Sequence, residues 1–406
     1  MSTPYDLLAD IDVVDPYPLW QALLDGPPQV APGGSFALVT RLADCAALLR
    51  HPDMSSDHRN SDHFKNVRLP ALTPEDLERF EKREVFLFRD PPVHTRLRRL
   101  VSKAFTPRRV EMLQPFVERR TDELLTAAAD RGRLELVDDL AYPLPVAVIS
   151  EMLGVPQEDH ATFAGWSAVL AKGLDSLMSE PTPEEMQANR VASDDFRAYF
   201  EKLAESRRRD PRDDLMSALV AAEEEGDKLS MDELTSTALL LLVAGHETTV
   251  SLIGNAMLAL IRVPGLLARV RADPGLAEGV IEEVLRLDPP VQMTMRTALA
   301  DIEVPGGVLK AGGSAVLLIA SAGRDDAAFP EPTVFDADRK DPGHLAFSGG
   351  IHYCLGAPLA RLEGRIVVAE LARRLVDPRI EELAFRDNRV LRGPNRLVVG
   401  YDALLP

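Results

Sequence analysis

The feature that most constrains this chain is the run from Ser230 to Pro264, which reads as one long buried helix. Ser230-Met-Asp-Glu233 is a capping box, in which the serine and the glutamate three residues on each accept from the other's backbone N–H. No proline interrupts the run before Pro264, so at 1.5 Å per residue the helix is about 50 Å long. Both flanks of its middle are apolar almost all the way round, the pattern of a helix enclosed on every side. The polar break Gly245-His246-Glu247-Thr248-Thr249 therefore falls in a core. A chain built around such a helix is expected to be mainly α.

The rest of the sequence agrees. Apolar residues recur at helical spacing over most of the chain from about Pro91 to Pro264, and again over roughly Pro274 to Leu287 and Ala357 to Leu375. Asp273 followed by Pro274 reads as a capping residue with proline at the first helical position. Shorter β-rich pieces lie near Val30 to Thr40, around Thr294 to Ala320 and at Asn395 to Tyr401, and are expected to form small sheets beside the helices. There is no repeat, low-complexity tract or Gly/Ser linker, so one domain over residues 1–406 is the simplest organisation.

Composition removes several function classes. A formal net charge of -18 opposes nucleic-acid binding through a general basic excess. The two cysteines, Cys45 and Cys354, form neither a disulfide framework nor a multi-cysteine zinc pattern, which fits a reducing compartment. The amino-terminal MSTPYDLLADIDVV is acidic where a secretion signal needs a basic start. The most hydrophobic stretch, Leu239 to Ala244, ends at Gly245-His246-Glu247, short of the ~20 apolar residues of a membrane span. A cytoplasmic protein with neither a membrane nor a nucleic-acid partner is expected.

The chemistry concentrates at Cys354. Phe347-Ser-Gly-Gly350-Ile-His352-Tyr-Cys354-Leu-Gly356 runs into the helical pattern APLARLEGRIVVAEL, which puts the cysteine in a glycine-containing loop at a helix start. Exposed N–H groups and the positive end of the helix dipole favour thiolate over thiol, and glycine lets a flat ligand approach the backbone. An inert buried cysteine is the ordinary alternative, and the one that suits Cys45. A catalytic nucleophile is a third, opposed by the absence of a Cys/His protease signature.

The pattern F-x-x-G-x-x-x-C-x-G followed by A-P-L-A-R resembles the haem-binding loop of the cytochrome P-450 family, in particular its soluble bacterial members. The resemblance extends from Asp90-Pro-Pro-Val-His94-Thr-Arg-Leu-Arg98 to Arg392-Gly-Pro-Asn-Arg-Leu, nearly the whole chain. It implies the mainly α cytochrome P-450 fold with small β-sheets, a haem b between the long central helix and the cysteine-loop helix, and Cys354 as axial thiolate and metal ligand. One departure is Ser348 followed by Gly349, where many bacterial members have glycine first, a one-residue shift of a loop glycine.

Further residues take meaning from the same resemblance. Ala244-Gly245-His246-Glu247-Thr248-Thr249 is similar to the family's A-G-x-[DE]-T motif, implying that Thr248 holds water beside the iron and Glu247 links it to bulk protons. Val250 occupies the place of the second histidine of H-E-x-x-H, so His246 and Glu247 are not a helical zinc pair. Read alone, Thr248 is a mid-helix threonine bonding back to the carbonyl of Ala244, which is compatible with the family role. His94 and Arg98 share a helix face, and with Arg296 and His352 they match the family's propionate contacts; structural salt bridges are the alternative for each. Phe347, Ala244 and Gly356 are expected against the haem. Glu283 and Arg286 look like the family's E-x-x-R pair, joined by Arg339 of Phe335-Asp-Ala-Asp-Arg339, in a scaffold role; a surface ion pair is the plain reading.

Between Pro91 and Val110 six basic residues (Arg96, Arg98, Arg99, Lys103, Arg108, Arg109) stand without an acidic one. Such a patch can steer an acidic electron carrier, or be a solvated helix face. No G-x-G-x-x-G appears between a strand and a helix, so electrons are expected from separate proteins, by resemblance a ferredoxin-type donor and its NAD(P)H-dependent reductase. Segments expected over the haem, by resemblance, are roughly Asn60 to Arg89, Trp166 to Arg190 and Val291 to Met295, with Val243 and Ala244; their mixed polarity names no substrate, and a small, largely apolar one, free or carrier-bound, is what the resemblance implies. A non-catalytic haem sensor or recruitment domain is the rival reading, opposed by the intact Glu247-Thr248. A peroxide-driven hydroxylase is opposed by the same pair.

Overall fold

A computed structural model describes residues 11–74, 77, 85–175, 182–224, 227–340 and 342–406. The first ten residues, and parts of the segments expected over the haem, lie outside the described residues. The chain divides into two compact units: residues 1–95, 282–354 and 385–392 form the first, and residues 96–281, 355–384 and 393–406 the second.

The first unit is organised on a five-stranded sheet in the order Gln29–Val30, Phe36–Val39, Ser314–Leu317, Thr294–Ala298, Met54–Ser55. Phe36–Val39 runs parallel to Ser314–Leu317, with Leu38 opposite Val316, and the other pairings are antiparallel. Side chains alternate across the sheet as a strand's two-residue period requires. Ala37, Val39, Ala315 and Leu317 pack on one face with Cys45, Leu48 and Leu49 of the helix Leu42–Arg50. Phe36, Leu38, Val316 and Leu318 pack on the other with Trp20 and Leu23 of the helix Tyr17–Asp25. The β-rich piece near Val30 to Thr40 is thus two strands, because Gly33 and Gly34, at φ 81° and 72°, reverse the chain between them.

The second unit is helical. Its axis is Met231–Arg262, 32 residues and so about 48 Å long. The capping box is present: Glu233 N donates to Ser230 Oγ at 3.2 Å, and Ser230 N donates to Glu233 Oε2 at 2.8 Å. By length and composition this helix would pass for a membrane span, yet 72% of its most apolar window is buried inside the protein. It packs chiefly against Ala357–Arg374 and Pro143–Leu153. Gly364 of Ala357–Arg374 lets the helix Leu276–Leu287 approach closely, since a Cβ there would stand 2.7 Å from Ile281 Cδ1.

Two local differences from the sequence reading have physical causes. Asp273 does accept from Gly275 N at 3.0 Å, but Pro274 and Gly275 form a tight turn and the helix proper starts at Leu276. Arg379–Phe385 is a strand paired with Pro394–Gly400, although its RIEELAF sequence has a charged, helix-like composition; it sits at the sheet's edge with half its side chains in solvent.

Candidate functional site

In the first unit the cysteine loop is fixed by its own backbone. Cys354 N donates to Phe347 O at 2.9 Å, Ser348 N to Leu345 O at 2.8 Å and Tyr353 N to Gly350 O at 3.2 Å. Two positions need left-handed backbone, Ser348 at φ 63° and Gly350 at φ 64°. A Cβ on Gly350 would lie 2.7 Å from Leu49 O, so only glycine lets the loop seat on the helix Leu42–Arg50. The serine departure noted above thus occupies a conformation that glycine adopts at less cost, and the loop keeps its shape.

Around this loop the first unit gathers buried nitrogen-bearing side chains. The rings of His94 and His352 lie 4.2 Å apart, with the residues 2% and 9% exposed. Arg296 is buried, donating to Thr294 Oγ1 at 3.2 Å and Met295 O at 2.8 Å. Burial pushes its guanidinium down to about 10, opposed only by the charge of Asp90. No carboxylate among the described residues forms an ion pair with Arg296, so this desolvated cation suits an anionic ligand group. Phe347 of the loop is buried, its ring centroid 6.4 Å from that of Tyr353.

The Glu283–Arg286 pair is no surface pair. Arg286 is fully buried and forks onto Glu283 through Nε at 2.8 Å and Nη2 at 2.6 Å. It also donates to the carbonyls of Gly323, Pro332 and Val334, and Arg339 Nε reaches Glu283 at 3.3 Å. Glu283 further accepts from Asp336 N at 2.9 Å. The cluster ties the segment after the sheet to the helix Leu276–Leu287.

In the second unit Gly356 is the N-cap of Ala357–Arg374, so Cys354 precedes the cap by two residues. Arg98 follows His94 by one turn on the helix Val93–Ala104 and is half-buried. On the central helix Ala244 and Gly245 are exposed and Thr248 half-exposed, although the turns on either side are buried. A Cβ on Gly245 would meet nothing within 4 Å. Thr248 Oγ1 donates to Ala244 O at 2.7 Å and Thr249 Oγ1 to Gly245 O at 2.7 Å, the back-bonding expected of mid-helix threonines. Glu247 is buried, and His246 is fully enclosed.

Sequence reasoning missed three neighbours. Ser167 bonds His246 at 2.9 Å from 79 residues away, with no motif to mark it. Asp90 is the charge nearest in effect to Arg296. Glu363, on the cysteine helix, is buried with its carboxyl pushed up to about 8; its spacing with Leu359, Leu362 and Ile366 was the available signal.

In the first unit, a cysteine-bearing loop and the buried, desolvated Arg296 guanidinium fit a cofactor that carries carboxylates and takes a thiolate ligand, as an iron porphyrin does. Comparison with known proteins agrees with this class. The family model described as Cytochrome P450 matches residues 45–274 and 275–376. The chain is 40% identical to the cytochrome P450 monooxygenase PikC of Streptomyces venezuelae, over 95% of this chain and 91% of that protein. Among solved structures, ligand-free CYP164A2 of Mycobacterium smegmatis matches with a TM-score of 0.86 and 43% identity, covering 98% of each chain. P450BioI, solved in complex with an acyl carrier protein ligated to hexadec-9Z-enoic acid, matches with a TM-score of 0.84 and 32% identity, over 96% of this chain and 98% of that one.

The chain belongs to the cytochrome P450 family. It has that family's fold and is a haem-thiolate monooxygenase using haem b, an oxidoreductase of molecular oxygen; the non-catalytic reading is not favoured. Electrons reach bacterial enzymes of this family from redox partner proteins.

Proposed function

We propose that Cys354 is the axial thiolate and that the chain, acting as one catalytic domain over residues 1–406 in the cytoplasm, hydroxylates or epoxidises a small, largely apolar substrate. The observation that carries the ligand assignment is the contrast between the two cysteines. Cys45 is fully buried and desolvation drives its thiol far above the usual range, whereas Cys354 is partly accessible in a fixed loop at a helix start. Bound haem supplies reductive activation of dioxygen, one atom entering the substrate and the other leaving as water.

The chain's own residues do the rest. Arg296, His94, His352 and Arg98 hold the propionates, with the desolvated Arg296 guanidinium the strongest draw for an anion. Ala244, Phe347 and Gly356 border the ring, the exposed Ala244 offering an apolar surface without bulk. Thr248 has its hydroxyl hydrogen committed to Ala244 O, so it presents an acceptor lone pair to the open face of the helix and holds a proton-carrying water there. Glu247, buried beside it, passes protons to that water. Thr248→Ala should still consume NAD(P)H and dioxygen in substrate-supported turnover but release more of the electrons as hydrogen peroxide. Unchanged coupling of reductant to product in that variant contradicts the assignment.

Electrons come from a ferredoxin-type donor and its NAD(P)H-dependent reductase, docking on the basic stretch that includes Arg99 and Arg108. The carrier-protein complex of the relative P450BioI supports a carrier-bound acyl chain as one substrate form beside free molecules. An open surface cleft of about 720 Å³ is lined in part by Trp166, Val169, Gln187 and Ala188 of the segment Trp166 to Arg190, expected over the haem.

A further inference from the structure

We propose that Ser167 and His246 are a positioning pair that sets the orientation of Glu247 and ties it to the helix His160–Asp175. The inference rests on the reading of Glu247 and Thr248 as the proton-delivering pair. Both members are fully buried, and the Ser167 Oγ to His246 Nδ1 distance is 2.9 Å. The same Nδ1 stands 3.7 Å from Glu247 Oε1. One imidazole edge thus touches an adjacent helix and the carboxylate together. Because His246 and Glu247 are sequence neighbours, their side chains leave the central helix about 100° apart. The 3.7 Å approach of Nδ1 to Oε1 therefore puts the imidazole, held by Ser167, against the carboxylate.

The imidazole cannot turn away. Tyr142 packs edge-on against it, ring centroids 4.5 Å apart at 87°, and the Tyr142 hydroxyl donates to Ala164 O at 3.2 Å. Tyr142 and Ser167 therefore brace the histidine from two directions, and both bonds engage the helix His160–Asp175. That helix also presents Trp166, the residue before Ser167, to the 720 Å³ cleft. A polar bond buried at this site, with a geometry set by three elements, is a positioning device in a region that apolar packing alone would fill at less cost.

Two measurements test this in the holoenzyme, without the natural substrate. The first is nitrogen NMR of histidine in the diamagnetic, reduced and carbon-monoxide-bound state, with the His246 signal assigned by its loss in His246→Asn. Only eight histidines are present, so the assignment is tractable. Ser167→Ala and Glu247→Gln should each shift the His246 ring nitrogens, and a signal unmoved by either overturns the contact.

The second measurement is the split of dioxygen reduction in substrate-free turnover with a surrogate ferredoxin and its reductase. One NAD(P)H with one proton gives hydrogen peroxide from dioxygen, and two NAD(P)H with two protons give two waters. Peroxide per NAD(P)H reports how well protons arrive. Ser167→Ala and His246→Leu should move this ratio in the direction of Glu247→Gln, by roughly two- to tenfold, the equilibrium worth of one hydrogen bond. The double variant should do no more than either alone, and His246→Asn, which keeps a polar atom at the Nδ1 position, should restore the wild-type split. If Glu247→Gln changes the split while Ser167→Ala and His246→Leu do not, the positioning pair is refuted and the acid–alcohol reading stands. If Glu247→Gln changes nothing, that reading fails and takes the pair with it.

Discussion

Glu363 lies on the buried face of the helix Ala357–Arg374 with no hydrogen-bond partner at Oε2, and burial alone holds its carboxyl up to about 8, against 4.5 for the free group. The sign of the linkage follows. Between those two values the folded state keeps a proton that the unfolded state gives up, so stability falls as pH rises through the window. Glu363→Gln should flatten the pH dependence of the melting temperature between pH 5 and 8. Any stabilisation it brings should grow from pH 5 to pH 8, because glutamine carries no charge whose burial is penalised. Thermal unfolding of both proteins across that range is the check; parallel curves contradict the account. The sequence proposes individual roles where a motif carries them, as for Cys354, Glu247 and Thr248. They were not legible where a tertiary neighbour defines them: nothing near His246 announces Ser167, and nothing near Arg296 announces Asp90.

Among elements, the cysteine loop has the least freedom. Gly350 combines left-handed backbone with a 2.7 Å approach of its would-be Cβ to Leu49 O, so Gly350→Ala must displace the loop from the helix Leu42–Arg50. That variant should bind haem weakly and lose thiolate ligation on mild heating, whereas Ser348→Gly, which relieves strain at the other left-handed position, should retain both. A haem-loss assay comparing the two separates the cases; equal retention contradicts the steric argument. The elements themselves were read well where periodicity was long and capped. The central helix begins at the residue after the Ser230 cap and ends within two residues of the proline that bounds it. The charged edge strand Arg379–Phe385 was not legible, because its composition carries no strand signal. Reading failed where a turn splits an apolar run, as at Gly33 and Gly34. The buried fork of Arg286 onto Glu283 and three carbonyls was half legible: the helical spacing placed the pair on one face, and only the fold supplies its burial.

At the scale of the whole molecule, a net charge of -18 makes any local positive stretch an electrostatic landmark. The stretch from Pro91 to Val110 is less free than its sequence implies. Arg96 pairs with Asp227 and Glu233, and Arg109 with Asp213 at 3.3 Å. Charge reversal at Arg109 therefore also breaks an ion pair, and Arg108, exposed on the helix Pro107–Met112, is the cleaner probe beside Arg99. Reduction by a ferredoxin should slow with rising salt, and Arg99→Glu with Arg108→Glu should slow it several-fold at low salt while weakening the salt dependence. Rates indifferent to both salt and charge reversal remove the steering role.

The claim on which every other assignment depends is sulfur ligation by Cys354. The direct measurement is the absorbance of the dithionite-reduced, carbon-monoxide-bound protein, for wild type and Cys354→Ser side by side. The account predicts a strongly red-shifted Soret band in wild type and its loss in the variant. An unshifted, histidine-like band in wild type, or a red-shifted band that survives in Cys354→Ser, would contradict it.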